Sequence, residues 1–548
     1  MDTVKVRELP VKSSALALTD LLVMEDNDGT KTVEVGQFRS LLQQSIYFNT
    51  VEDMKNATLH EGDVVQTLGF REINDGGGAI YKIVYAPTDL DDGMLIHYLH
   101  TSDTLRAHLV TSGYLNVLQC GAHGDGISDD YSIINKAMQK GMPLYFPKRT
   151  YKLSGPIEIK SDTVIDFNGA TLRCDVSSCI CLGLTEEMNN ITIKNAKFIG
   201  KYGIEIYSYS KNIIIENCIF DGIQESSIIM DKAISLNGVS DVIIRGCTTG
   251  SVPSDNVQTT VVKTSIQIAS GTKDKNSVGN SNILITGNKF NSYMYGINMT
   301  STILDKNTII SNNQFKGFMY LDPEQPSVGI QISCNSDSII ISSCGFNIYD
   351  IGIRVAGVVD VNLGCTDIIC DNVQTMYSIL SSSTNVVLSG LQKFNGVYDR
   401  TAKAVVPDGY FFQRMSGALT LSSDIMFTQL SENLVGFYDY SDSLTGSVID
   451  SRNPATLNQI QYRVNDIISE DTSGCIGIWK NLAINIIDSG DITKIGPTAL
   501  KGAVIALYSS SGAVLKNNSN TICGEDIVLN KYTPVILKNI NGLWTRVA

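Results

Sequence analysis

A chain of 548 residues, 43% of them hydrophobic, exceeds what one core organises, so several domains are expected. Its formal net charge of −14 argues against a nucleic-acid partner, which needs a basic field, and against adhesion to anionic lipid. No apolar run approaches the roughly 18–20 residues of a membrane span, and the start, MDTVKVRELP, carries no apolar signal core, so neither membrane insertion nor general export is expected.

Residues 1–44 read as a small unit. LLVMEDNDGTKTVEV holds Asn27-Asp28-Gly29 between two apolar stretches, a hairpin signal, and Phe38, Leu41 and Leu42 follow on a short amphipathic helix. Residues 45–114 form a second unit: a helix around Val51–Ala57, the strand GDVVQTLGF, a turn at Asn74–Gly78 and the strand AIYKIVYA. The turn lacks the lysine and the following helix of a phosphate cradle, so it reads as a hairpin connection. Near residue 115 a longer region opens with a helix at Tyr131–Gln139, capped by Ser128 or Asp129, placed to close the raw end of a stack of strands. Turn and cap duties account for Asp125, Asp129 and Asp130 more simply than calcium does. PLYFPKRTYKL and TVIDFNGATLRC continue as alternating strands.

From Asn190 the chain writes nearly the same line again and again: NITIKNAKF, NIIIENCIF, DVIIRGCTT, NILITGNKF, NTIISNNQF, SIIISSCGF, DVNLGCTDI and NVVLSGLQK. The copies start at Asn190, Asn212, Asp241, Asn282, Asn307, Ser338, Asp360 and Asn385. Repeats at such spacings mean a solenoid, here one of strands. A second element recurs as GIEI at Gly203, AISL at Ala233, SIQI at Ser265, GINM at Gly296, GIQI at Gly329 and GIRV at Gly352. Strand side chains alternate faces, and stacked coils place like on like at about 4.8 Å. The column Asn195, Asn217, Gly246, Gly287, Asn312, Ser343, Gly364 is expected to be a left-handed bend. Residues 397–548, with GALTLSS, LAINIID, GAVIALYSS, TPVILKNI and LWTRV between turns, read as a C-terminal β-rich, sandwich-like region serving trimerisation or receptor recognition.

Two outward lines follow from the stacking. From the second element comes a polar stripe, Glu205, Ser235, Gln267, Asn298, Gln331 and Arg354. From the first comes Thr192, Ile214, Ile243, Leu284, Ile309, Ile340 and Asn362, whose five large apolar members make a strip on the order of 20 Å long. Exposed strips of that kind mark a contact, and three parallel solenoids around an axis would bury one each. Ile214, Ile243, Leu284, Ile309 and Ile340 are therefore the expected trimer interface, an intrachain cover by the insertion at 250–281 being the alternative. Cys218, Cys247 and Cys344 share a repeat position with Ala196, Asn288 and Asn313, so they read as free thiols at a small-residue packing site in a protein folded under reducing conditions. No metal or other cofactor is expected: the five histidines all precede residue 124, and Cys174, Cys179 and Cys181 lack a fourth ligand.

LNVLQCGAHGDGISDDYSIINKAM followed by MPLYFPKRTYKL resembles the opening of the pectate-lyase-like right-handed parallel β-helix family, which includes lyases, hydrolases, epimerases and bacteriophage tailspikes. The segments before residue 115 resemble the attachment and head regions of tail-fibre and tailspike proteins, and TPVILKNINGLWTRVA resembles their closing β-module. The resemblance implies a right-handed parallel β-helix at 115–396 with small N-terminal attachment (1–44) and head (45–114) domains. It implies a homotrimer held to a phage baseplate or tail by its N-terminus, made in the host cytoplasm and carried on the virion. The partner would be a host cell-surface glycan.

Chemistry on that scaffold is less defined. The Gly-His-Gly and Arg-x-Lys signatures of the family's galacturonases are missing from the sequence, and no acid cluster flanks Arg245 or Arg354 as in its lyases. Glycoside cleavage needs two carboxyls about 5–9 Å apart. Glu205, Glu225 and Asp231, in neighbouring coils, are the candidates. The expected function is thus a tailspike or fibre that adheres to host polysaccharide through Glu205–Arg354, with Tyr207, Tyr209, Tyr293, Tyr295 and Tyr320 available for sugar faces. A polysaccharide depolymerase on the same β-helix is the alternative, and a structural tail protein the third.

Overall fold

The computed structural model describes residues 21–26, 29–34, 46–184, 186–222, 229–250, 262–317, 326–347, 349–357, 359–371, 373, 375–379 and 384–395, and then short stretches between 410 and 547. The chain forms two compact units, Met1–Ala122 and His123–Ala548.

In the first unit, strands Leu21–Asp26 and Gly29–Glu34 pair antiparallel as the hairpin signal predicts. The helix expected at Phe38, Leu41 and Leu42 lies outside the described residues. A five-stranded sheet follows in the order Ile46–Phe48, Val64–Thr67, Ile80–Tyr85, Ser102–Leu109, Ile96–Leu99. The helix Val51–Lys55 starts on a capping box between Thr50 and Asp53 and buries Val51 and Met54 in a cluster with Val65, Tyr81, Ile83 and Leu99. Asn74 takes a left-handed φ of 66° in the loop joining the antiparallel strands Val64–Thr67 and Ile80–Tyr85. Asp75 accepts backbone N–H groups of Phe70, Arg71, Glu72 and Gly77 at 2.7–3.2 Å. Burial opposes its charge, yet those N–H groups hold the carboxyl below its ordinary value. The loop's anion cradle is therefore occupied by the chain's own carboxylate.

The second unit is a parallel β-helix. Strand Asp125–Asp129 pairs in parallel with Thr150–Leu153, and the helix Tyr131–Gln139 lies against the next segment. There Asn135 accepts the Glu158 N–H at 2.9 Å and Lys160 donates to the Gln139 carbonyl at 2.8 Å. The N-cap is Asp130, one residue later than expected. Its carboxylate turns back to the N–H groups of His123 and Gly124, while Asp129 accepts from Tyr131 and Ser154. Burial opposes ionisation of Asp125, but the N–H groups of Ile127 and Ser128 draw its carboxyl down to about 2.

Each coil carries three strands, one more than the sequence reading supplied. Sheet 1 stacks the repeat element itself: Thr163–Asp166, Met188–Lys194, Ser210–Glu216, Ser240–Arg245, Ser281–Thr286, Lys306–Ser311 and Ser336–Ser342, then the first halves of Val361–Asp371 and Thr384–Asn395. Sheet 3 stacks the G-I-x-I element, from the second half of Lys197–Tyr207 through Met230–Asn237, Val262–Ala269, Tyr295–Met299, Val328–Ile332 and Ile351–Val355 to Thr375–Ile379. Between them runs sheet 2, of very short strands such as Ile219–Asp221, Lys289–Asn291, Gln314–Lys316 and Gly345–Asn347. Parallel pairing continues past residue 396: Tyr410–Met415 stacks on Thr375–Ile379, and Leu482–Ile486 pairs with Val504–Ser509. Val504–Ser509 also pairs antiparallel with Val535–Ile540.

Sheet 2 explains the glycines. Its inward column is Phe198, Phe220, Thr249, Phe290, Phe315 and Phe346, with rings stacked at 5.1 Å for Phe198–Phe220 and 4.7 Å for Phe315–Phe346. A Cβ on Gly203, Gly296 or Gly329 would strike Phe220, Phe315 or Phe346 respectively. At Gly203, Gly296 and Gly329 the G of G-I-x-I is thus the seat of an aromatic ring from the next coil; Ala233 stands there where the next coil supplies Thr249, Gly352 faces Cys370, and Ser265 precedes the coil of Phe290 without a glycine.

The bends between sheets 1 and 2 are left-handed at Asn195, Asn217, Gly246, Gly287, Asn312 and Ser343, with φ from 52° to 66°. In the next coil the bend is Asp367 (φ 53°), not Gly364. A register shift between Ser336 and Ile339 displaces that strand, so that Ile340 stacks on Gly364. A second left-handed column, missed from the sequence, begins the repeats at Asn190, Asn212, Asp241, Asn282 and Asn307. Its side chains form a ladder, with Asn212 donating to Asn190 at 2.6 Å and Asn282 to Asp241 at 2.9 Å.

The Cys/Asn column also proves more specific than small-residue packing. Cys218, Cys247 and Cys344 place Sγ within reach of the carbonyls of Ile193, Ile215 and Ile310 at 3.7–3.9 Å, and nearer those of Glu216, Arg245 and Ser342 in their own coil at 3.3–3.5 Å. Asn288 and Asn313 donate Nδ2–H to the matching carbonyls of Ile244 and Ile285 at 3.0 and 2.9 Å. The position selects a small donor that fits the bend. The eleven described cysteines are free thiols, and all but half-buried Cys181 are buried. Near the passage from sheet 3 back to sheet 1, buried Asp305 accepts both the N–H and the Nδ2–H of Asn280, at 2.7 and 3.0 Å.

Candidate functional site

Both outward lines stand in register. On sheet 1, Thr192, Ile214, Ile243, Leu284, Ile309 and Ile340 follow one another coil by coil. Asn362, expected to be next, is replaced by Gly364 because of the register shift. The line extends to Val164 at one end and Val387 at the other. Neither was expected, although TVIDFN is itself a shortened copy of the repeat. Their flanking residues Ile165, Ile193, Ile215, Ile244, Ile285 and Ile341 are buried, while Val164 is 62% exposed, Ile309 40%, Ile340 44% and Val387 42%. Ile214, Ile243 and Leu284 are half-buried. The insertion hairpin Gly271–Lys273/Asn276–Val278 is anchored elsewhere: Tyr209 donates to Asp274 at 2.9 Å, and Lys273 pairs with Glu187 at 3.2 Å.

On sheet 3, Glu205, Ser235, Gln267, Asn298, Gln331 and Arg354 form one unbroken line. Cys181 precedes it and Ser378 follows. The inward neighbours on either side are buried aliphatics such as Ile330, Ile332, Ile353 and Val355. Outward placement does not leave the line open, however. Ser235 is 1% exposed, Gln267 8% and Gln331 5%. These side chains bond to one another and to their neighbours: Asn298 donates to Gln267 at 3.0 Å, Gln267 to Thr300 at 2.7 Å and Gln331 to Ser333 at 2.8 Å.

The acid candidates are separated along the sheet. Glu205 stacks on Ser235, and Asp231 lies four residues before Ser235 on the same strand, paired with Lys263 at 3.2 Å. Glu225 lies outside the described residues. Glu205 has Tyr207 and Cys181 for neighbours. Burial and this carboxylate push the Tyr207 phenol up to about 12 and the Cys181 thiol up to about 11. Of the other tyrosines, Tyr209 has Lys273 over its ring, Tyr293 and Tyr295 are half-buried, and Tyr320 lies outside the described residues. Among the described residues no group of His, Cys, Asp and Glu is placed to hold a metal ion, and no helix is long and apolar enough to cross a membrane.

Residues 114–174 match the family model described as rhamnogalacturonase A/epimerase, pectate lyase-like. The match covers the cap and first coils and ends before Glu205, so it carries no catalytic assignment. The preneck appendage protein of Bacillus phage PZA is 38% identical over 55 residues, which are 10% of this chain and 6% of that protein. The pre-neck appendage protein of Bacillus phage phi29 gives the same identity and coverage. The aligned stretch is thus a small part of either relative. Among solved structures, the gp42 tailspike of Acinetobacter phage vb_AbaP_AS12 is 12% identical with a TM-score of 0.49, over 92% of this chain and 94% of its own. The enzymatically active domain of tailspike protein 2 of bacteriophage CBA120 is 11% identical with a TM-score of 0.46, over 70% of this chain and 57% of its own. The chain is therefore a parallel β-helix protein with a pectate-lyase-like opening, similar in sequence over a short stretch to phage appendage proteins.

Proposed function

We propose that this chain is a receptor-binding protein of a bacteriophage tail, a virion component that adheres to a bacterial surface polysaccharide. The observation that carries this reading is the pair of unlike in-register lines on one rigid solenoid. The apolar line of sheet 1 suits burial against two further copies of the chain, with Ile214, Ile243, Leu284, Ile309 and Ile340 along the axis. The polar line of sheet 3 repeats at about 4.8 Å, and its half-buried members Glu205, Asn298 and Arg354, set among the buried Ser235, Gln267 and Gln331, suit a repeating polymer of hydroxylated rings. Three copies would add avidity on such a polymer. The sequence likeness to phage appendage proteins supports the virion setting. In this reading residues 1–44 attach to the tail or baseplate, residues 45–114 form the head, and residues 397–548 assist trimerisation or recognition.

The test is light scattering on the purified full chain, together with binding of the labelled protein to host cells before and after their surface polysaccharide is stripped. A trimer that binds only unstripped cells is expected. A monomer indifferent to stripping overturns the proposal, and a trimer that binds no cells leaves a structural tail protein.

A depolymerase is the second reading, for which Glu205, with Tyr207 two residues on, and Asp231 in the next coil are the available acids. Release of shortened oligosaccharides, abolished by Glu205→Gln or Asp231→Asn, would establish it.

A further inference from the structure

His97 has no place for a second proton. It is 3% exposed and lies on the inner face of the first unit's sheet, opposite Ala107. The rings of Phe70 and Tyr81 meet it edge-on, with centroids at 6.0 and 5.6 Å. Its Nδ1 faces Asp91 at 4.0 Å, and its Nε2 is buried without a partner among the described residues. The charged groups around the ring are Asp91, Asp92 and Lys55, and each is committed elsewhere. Asp91 accepts the N–H groups of Gly93 and Tyr98 at 2.7 and 2.8 Å. Asp92 accepts those of Met94, Leu95 and Ile96 at 2.8–3.1 Å, and Lys55 holds Glu52 at 3.1 Å. The Tyr81 hydroxyl is buried and makes no bond to the ring. The unit's other histidines reach solvent: His60, His100 and His108 face Asp63, Glu52 and Asp89 at 3.7, 3.1 and 3.2 Å. The β-helix unit has one histidine, His123, facing Asp130 at 3.2 Å.

A neutral imidazole carries one N–H, and a second proton creates another. On the other four rings that proton meets a carboxylate. On His97 it leaves a buried charge with an unanswered donor among aromatic rings. Burial accordingly holds the ring below the ordinary histidine value, against the pull of Asp91. The unfolded chain therefore takes up a proton that the folded unit refuses. The ring's contribution to stability is complete above about pH 6.5 and is lost as pH falls toward the lowered value. Two carboxylates of this unit act in a different window. Glu52, held low by its bond with Lys55, and Asp75, whose burial is outweighed by its N–H bonds, give way only below the ordinary carboxyl range. We propose that His97 is an acid latch of the first unit: a proton on its Nε2 loosens the sheet and helix around it, while the parallel β-helix keeps its fold.

The test is hydrogen exchange of the full chain between about pH 7.5 and about pH 5, corrected for the intrinsic pH dependence of exchange. Peptides from Ile80–Tyr85 and Ser102–Leu109 should lose protection several-fold, at most about tenfold per pH unit, the limit for one proton. Peptides from Ser240–Arg245 and Val328–Ile332 should keep theirs. His97→Phe retains a ring against Phe70 and Tyr81 and should abolish the pH dependence in that window. Asp91→Asn withdraws the nearby negative charge and should steepen the loss at the acid end. Should His97→Phe fail to fold, exchange of the histidine C2 proton on the unaltered chain reads the His97 titration directly and decides. The latch is overturned if protection of the first unit is unchanged down to about pH 5, if folded His97→Phe loses protection as the unaltered chain does, or if His97 titrates at the ordinary value with the unit closed. Loss of protection in both units together would also reject it.

Discussion

Sheets 1 and 3 are made by the same device, yet their outer faces invert the usual partition. The line on sheet 1 is apolar and part of it lies open, with Ile340 44% exposed. The line on sheet 3 is polar and sunken, with Gln331 5% exposed. A solenoid core is complete without either line, because Ile330, Ile332, Ile339 and Ile341 already fill it. The outer columns are therefore free of core duty. Apolar groups left in water point to something beyond the single chain, whereas the sunken polar groups are largely answered by their own neighbours.

The comparison is broken most completely by damage to the shared scaffold. Gly296→Ala places a methyl group on the Phe315 ring and the Gly329 carbonyl, so loss of folded protein or a stability drop of about 3 kcal/mol is expected, read by denaturant unfolding. Ile243→Asp combined with Ile309→Asp leaves the core intact and should convert the proposed trimer to monomers by light scattering. An unchanged trimer would place the axis on another face. Asn288→Ala removes the donor to the Ile244 carbonyl and the acceptor for the Cys247 N–H, at about 1–3 kcal/mol. Asn288→Cys should recover part of this, since Cys sits at the same bend within reach of the matching carbonyl in neighbouring coils. A smaller effect separates pH from packing. Burial raises the Asp305 carboxyl above its ordinary value against the opposing bonds from Asn280. The folded state thus holds that proton more tightly than the unfolded chain. Its contribution is complete below the ordinary carboxyl range and is lost as pH rises through the raised value. Asp305→Asn should flatten the pH dependence of the melting temperature in that window.

The columns were legible because stacking turns repetition into geometry, so Ile191 and Ile213 or Glu205 and Ser235 align once the copies are aligned. Sheet 2 was not, since strands as short as Thr248–Thr249 give alternation no room to show. The slip at Ser336–Ile339 was hidden because DVNL reads as a fair copy in the wrong register, which put the outward-facing Asn362 on the Ile340 line in place of Gly364 and made Gly364 look like the bend. The Cys/Asn equivalence was visible as a pattern and misread as size, because the carbonyl that both address belongs to the preceding coil. Of the candidate site, sequence supplied membership of the lines. It did not supply depth: that Gln267 and Gln331 are sunken follows from neighbours such as Thr300 and Ser333 that no spacing reveals.

The interior thiols have a practical use. Cys174 and Cys179 lie in the early coils, Cys218 and Cys247 midway, and Cys334, Cys344, Cys365 and Cys370 further along. Burial raises the Cys344 thiol to about 11 and moves Cys179, Cys334 and Cys365 higher still, so each is inert to alkylation while its rung stays closed. Graded heating with iodoacetamide, read by peptide mass, would make them a built-in ruler of where unwinding starts and which way it travels.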